Sequence, residues 1–142
     1  MKFIKALLCT TLLLAIPSLS MAQSVDLGRG ALPLTVPTNY SASTPMPLIV
    51  LLHGYTSSGA NQDAYMGFSK LADRYGFLFV APDGNKEPAG DENRFWNASP
   101  ACCDFFSTGV DDSAYVANII EEVKGDYNVD PNRVFLIGHS NG

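Results

Sequence analysis

Histidine is nearly absent from this chain. Only His53 and His139 occur among 142 residues, alongside three cysteines and a single tryptophan. A metal centre needs His and Cys grouped at ligand spacing, and the adjacent pair Cys102 and Cys103, with no second cluster, does not provide one. Positive charge is scarce too. Nine Lys and Arg stand against fourteen Asp and Glu, with no basic cluster anywhere, so nucleic acid and anionic membrane surfaces are poor partners. No repeat, low-complexity tract or internal linker divides the chain.

The longest apolar run, "ALLCTTLLLAI", is shorter than the ~20 residues that span a bilayer, and Pro17 follows it directly. With Lys2 and Lys5 before it and Ser20-Met21-Ala22 after it, residues 1–22 read as a secretory signal peptide. Large Leu8 before Cys9 argues against a lipid anchor. Cleavage after Ala22 leaves 120 residues with seven basic against fourteen acidic side chains, a charge of −7. The mature chain is expected outside the cytoplasm, extracellular or periplasmic, with no membrane association. It has room for one domain, at the low end for an α/β enzyme.

The mature sequence alternates strand and helix signals. Residues 25–47 carry four prolines, which suits edge strands and turns, and "ALPLTV" reads as an outer strand. "LIVLL", residues 48–52, is aliphatic without polar alternation, as expected of a central parallel strand covered on both faces. A helix should follow, with Tyr65, Phe68, Leu71, Ala72 and Tyr75 on one face and Gly76 at its end. "FLFVAP" is a second buried strand stopped by Pro82. Residues 83–109 form a long loop too aromatic for a linker. Asp111 or Asp112 can cap the next helix, whose stripe is Val116, Ile119, Ile120, Val123 and Tyr127. The turn "NVDPNR" then delivers the strand "VFLIG". This rhythm predicts an α/β fold, a doubly wound parallel sheet with helices on both faces and its site at the carboxyl ends of the strands.

Two motifs stand at such ends. Gly138-His139-Ser140-Asn141-Gly142 has the form G-x-S-x-G, which holds a nucleophilic serine on a sharp strand-to-helix turn. "LLHGYT", residues 51–56, has a histidine-glycine pair that lets the backbone turn close to a substrate. In acyl transfer the carbonyl oxygen becomes negative, and two backbone N–H groups stabilise it. The donors read here are those of Asn141, which follows the nucleophile, and Tyr55.

The stretches "PLIVLLHGYTSSG", "FLFVAPDG", "FWNASPACCDF", "VDDSAYV" and "VDPNRVFLIGHSNG" resemble the secreted α/β-hydrolase esterases grouped with polyhydroxybutyrate depolymerases and feruloyl esterases. The resemblance implies Ser140 as nucleophile, Tyr55 and Asn141 as oxyanion donors, and an eight-stranded sheet of which residues 23–142 hold the first five strands. It also implies a triad Asp and His beyond residue 142, so the 142-residue chain is expected to be an inactive N-terminal part of the domain, truncated at the nucleophile elbow.

The remaining residues read as follows. A general base must reach the serine hydroxyl at ~3 Å. His139 should point away from the reactive face and His53 should support the oxyanion loop, so neither is expected to serve as base. Trp96 with Phe95 either floors a substrate pocket beside Ser140 or buries the long loop. Cys102 and Cys103 either bond to each other or pair with cysteines elsewhere. Asp104, Asp111 and Asp112 read as capping and solvated residues. The expected reaction is two-step hydrolysis of a carboxylic ester, polymeric or plant-derived, through a seryl acyl-enzyme, with no cofactor. A non-catalytic binding module, or a peptidase or thioesterase on the same elbow, would share these residues.

Overall fold

The aliphatic run at residues 48–52 lies where its lack of polar alternation requires, between two parallel neighbours and under helices on both faces. The computed structural model describes residues 24–89 and 92–142. The leader read at residues 1–22 lies outside them. The strands are β1 (Ser24–Val25), β2 (Leu32–Thr35), β3 (Met46–Leu52), β4 (Leu78–Val80), β5 (Asn85–Lys86), β6 (Arg94–Phe95) and β7 (Val129–Gly138). The helices are α1 (Gly59–Met66), α2 (Ala72–Tyr75) and α3 (Asp112–Asp126), with a 3₁₀ turn at Ser69–Leu71.

Five strands form one sheet in the order β1-β2-β4-β3-β7. β3 runs parallel to β4 and β7, whereas β2 is antiparallel to β4 and β1 is antiparallel to β2. The sheet is thus mixed: β3, β4 and β7, the strands of the alternating rhythm, are parallel as that rhythm predicted, and the antiparallel pairs lie at the edge formed by β1 and β2. The short connections among the proline-rich first residues reverse the chain, and no crossover helix is available there to make those strands parallel.

Alternation along β3 and β4 divides the core in two. Leu48 and Val50 meet Leu78 and Val80 under Val116, Ile119 and Val123 of α3. On the opposite face Leu51 and Ile49 pack with Phe77, Phe79 and Ala72. Burying each such side chain stabilises the fold by about 1.5–3 kcal/mol, against ~1 kcal/mol for a helix cap, so packing dominates. Capping sets the ends: Asp111 Oδ1 accepts the Ala114 N–H at 2.8 Å and starts α3.

The long helix expected before Gly76 is broken. Gly67, at φ 77°, ends α1, and the Asp63 carboxylate takes the Ser69 N–H at 3.0 Å to begin a new turn. The residues beyond are rotated off the helical register counted from Tyr65. Tyr65 and Tyr75 are therefore exposed, while Ala72 is buried and Phe68 stacks on Phe79. Gly76, at φ 68°, does close the segment.

From Val129 on, the turn "NVDPNR" lies inside the span of β7 as an irregularity of its ladder. The register passes from Met46–Val129 to Leu48–Val134, and Asp130 holds the extra residues by accepting from Asn132 N and Arg133 Nε. Within residues 83–109, β5 and β6 pair as a short ribbon, and Arg94 ties it to Gly84 O and Asp83. Cys102 and Cys103 are bonded to each other. Among the described residues no helix is long and apolar enough to cross a membrane, and no group of three or more His, Cys, Asp or Glu could hold a metal ion.

Candidate active site

The ladder between β3 and β7 continues one step beyond the strands, where His139 N–H donates to Leu52 O at 3.1 Å. The chain then turns within three residues, closed by Gly142 N–H to His139 O at 3.0 Å. Ser140 sits at the apex, exposed and at φ 55°, a left-handed conformation rare for a residue with a Cβ. Such strain persists only where surrounding contacts impose it. The flanking glycines allow it: a Cβ on Gly138 would meet the Gly142 backbone at 2.3 Å, and one on Gly142 would meet Leu52 O at 2.5 Å.

The second motif faces this turn. A Cβ on Gly54 would lie 3.3 Å from both Ser140 Cβ and His139 Nδ1, so the loop after β3 is pressed against the elbow. Thr56, at φ 63°, donates its N–H to Arg94 O at 2.8 Å, and Ser57 N–H reaches Gly54 O at 3.1 Å. Tyr55, between Gly54 and Thr56, hydrogen-bonds through its hydroxyl to Glu87, which also accepts from Asn93 Nδ2 at 3.1 Å. Its ring meets Phe105 edge-on at 5.5 Å.

His53 is fully buried beneath the loop. Its Nε2 accepts the Gly84 N–H at 2.9 Å, so its Nδ1 must carry the proton donated to Gly54 O at 2.7 Å. Both ring nitrogens are thereby engaged. Burial pushes its pKa below the ordinary histidine value, opposed by the Gly54 carbonyl and Asp83. The ring is a neutral brace between two loops. The His139 ring lies tilted against Tyr65, centroids 6.3 Å apart.

Trp96 joins the two motifs from behind. Its indole N–H donates to His53 O at 2.9 Å, while its backbone N–H and C=O bond to Asn141 Oδ1 and Nδ2 at 2.8 and 2.9 Å. The cleft of about 350 Å³ at Ser140 is lined by Gly54, Tyr55, Ser57, Gln62, Tyr65 and His139. Trp96 borders a different, more apolar cavity of about 420 Å³, with Asn141, Leu52, Val116 and Ile120. The structure thus places Ser140 and Tyr55 on one cleft, while Asn141, the next residue after Ser140, borders the cavity behind it together with Trp96.

Asp112 departs from the solvated role expected of it. It is buried, 2.6 Å from Arg29 Nη1 in a charge contact, and accepts the Asn97 N–H at 2.5 Å. Asp104 caps the turn at Thr108 and Gly109. Sequence reasoning missed Glu87, Gln62 and the Asn141 carboxamide. Each is polar, and its burial depends on which loop folds over it.

The sequence pattern described as Esterase PHB depolymerase matches residues 32–142. An acetylxylan esterase A of Aspergillus oryzae is 32% identical over 75% of this chain. A bifunctional acetylxylan esterase/xylanase of Neocallimastix patriciarum is 31% identical over 75% of it, and a poly(3-hydroxyalkanoate) depolymerase C of Paucimonas lemoignei 28% over 75%. The chain spans only 32%, 13% and 24% of those relatives. Among solved structures, an acetyl xylan esterase from Aspergillus awamori superposes with a TM-score of 0.58 at 23% identity, over 82% of this chain and 41% of that one. An S-formylglutathione hydrolase of Staphylococcus aureus superposes at 0.51 with 17% identity, over 78% and 41%. These two likenesses establish a shared α/β-hydrolase fold.

Proposed function

This chain belongs to the esterase PHB depolymerase family, and from that premise we propose that it carries the nucleophile and oxyanion loops of a serine-type carboxylic ester hydrolase. The observation that carries the reading is Ser140 at φ 55° on the turn after β7, packed against Gly54 of the loop after β3. Ser140 Oγ attacks the ester carbonyl carbon while an imidazole takes its proton. The carbonyl oxygen becomes an oxyanion held by the N–H groups of Tyr55 and Asn141. The alcohol departs with the proton, leaving a seryl ester. Water, deprotonated by the same imidazole, then releases the acid and restores the serine.

The imidazole belongs to a part of the full-length protein outside the described residues. His53 has both nitrogens engaged, and the His139 ring lies against Tyr65. Relatives that act, by their names, on acetylxylan and on poly(3-hydroxyalkanoate) support a polymeric substrate, either a polysaccharide acetate or an aliphatic polyester. The leader at residues 1–22 supports export, after which mass spectrometry should find the mature protein beginning at Gln23.

The test is covalent labelling. Full-length protein treated with a fluorophosphonate should carry the adduct on the peptide containing Ser140, and Ser140→Ala should abolish both adduct and hydrolysis of p-nitrophenyl acetate. Esterase activity retained by Ser140→Ala would refute the assignment.

A further inference from the structure

Gln62 borders the same cleft as Ser140, on the first helix after the oxyanion loop. The residue is only 4% exposed, and its amide Nε2 is buried with no hydrogen-bond partner among the described residues. A buried amide left unpaired is unfavourable, and nearly all such groups in folded proteins find a partner. The backbone offers nothing to explain it: Gln62 N–H is satisfied by Ser58 O at 3.0 Å in the helix itself. Unpaired buried donors are expected where a ligand supplies the acceptor. Ser57 and Asn61 also face this cleft, so its polar lining around Gln62 is neutral.

We infer that Gln62 is a specificity-determining residue whose amide N–H binds a neutral oxygen of the substrate beyond the scissile ester. This rests on the esterase reading of Ser140. An uncharged acceptor satisfies the amide without bringing an unpaired charge into a cleft whose lining around Gln62 is neutral, and a substrate without that oxygen leaves Nε2 unpaired in the complex as in the free protein. The oxygen can come from either side of the ester, as a hydroxyl or ring oxygen of a sugar-like alcohol or as a hydroxyl of a hydroxyacyl group.

Matched substrates separate these sources. One pair is an acetylated methyl xyloside and cyclohexyl acetate; the other is p-nitrophenyl 3-hydroxybutyrate and p-nitrophenyl butyrate. In full-length protein, Gln62→Met, which keeps the side chain's length but has no donor, should lower kcat/KM roughly fivefold or more on the oxygenated member of one pair. The oxygen-free member should stay within twofold, and the pair affected identifies the source. Gln62→Leu, a second substitution that removes the donor without adding a titratable group, should reproduce the loss. Because Nε2 has no partner among the described residues, Gln62→Met should melt no lower than the native protein. Equal losses on both members of a pair, no loss on any substrate, or a lowered melting temperature would overturn the inference. Fluorophosphonate labelling of the native sequence separates the two levels. If Ser140 labels but no oxygen-selective loss follows, this inference alone fails; if Ser140 does not label, the esterase reading fails and this one with it.

Discussion

The Asn141 carboxamide and the Trp96 backbone exchange two hydrogen bonds, Trp96 N–H to Oδ1 at 2.8 Å and Nδ2 to Trp96 O at 2.9 Å, across 45 residues of sequence. The residue assigned to stabilise the oxyanion is therefore held in place by its own side chain. Substituting the amide removes a contact that fixes the backbone on which the proposed donor N–H lies. Trp96 extends the link to His53 O, so both proposed oxyanion loops are fixed to one tryptophan.

Asn141→Asp should be damaging although the N–H it donates is unchanged. The carboxylate keeps one acceptor for Trp96 N–H but sets its other oxygen against Trp96 O in a buried site. A loss of about 1–3 kcal/mol of stability is expected. In the full-length protein kcat should fall at least about tenfold, by the logic of a misaimed oxyanion donor, with KM little altered. Steady-state kinetics and thermal melting check both.

His53 should make stability depend on pH. Its folded pKa lies below the ordinary value because burial disfavours the charged ring. The unfolded chain therefore binds the proton first as pH falls. The contribution of the neutral ring is complete above the unfolded pKa of about 6.5 and is lost as pH drops from there toward the folded pKa. Melting temperature should decline between pH 7.5 and 5.5, and His53→Gln should flatten that decline while lowering stability at pH 7.5. A native protein whose melting is unchanged over this window would contradict the buried neutral ring.

Ile119 and Ile120 are neighbours with different surroundings. Ile119 is fully buried in the α3–sheet core, while Ile120 is only partly buried against it. Ile119→Ala should cost about 2–5 kcal/mol, and Ile120→Ala clearly less. Urea unfolding should show a lower midpoint at unchanged slope for the first.

Among the described residues β7 is one of the two outer strands of the sheet, and its Phe135 and Leu136 are 49% and 57% exposed. An apolar strand with an open hydrogen-bonding edge pairs with other chains. Residues 23–142 expressed alone should self-associate at micromolar concentration, and Leu136→Lys should weaken the association. Sedimentation velocity showing a monomer for the unsubstituted segment would remove this expectation.

The sequence by itself determined the elements whose signals are local. The aliphatic run at residues 48–52 and the apolar run "FLFVAP" became β3 and β4, Asp111 capped α3, and the Val116, Ile119 and Val123 stripe met the sheet, because burial on both faces or on one stripe leaves a periodicity that needs no partner to be read. The two glycines around Ser140 likewise announced a turn that no Cβ could enter. Tertiary structure decided the rest. A single glycine, Gly67, broke the helix that the spacing of Tyr65 and Tyr75 implied, because helical periodicity counts correctly only while the backbone stays in register. Antiparallel pairing of β1 and β2 came from where the proline-rich turns sent the chain, and the proline-rich composition is silent about direction. Which way Trp96 and Glu87 face was fixed only when the described residues between 83 and 109 folded behind the loop after β3. Their neighbours lie tens of residues away in sequence, and hydrogen bonds over such separations leave no pattern along the chain.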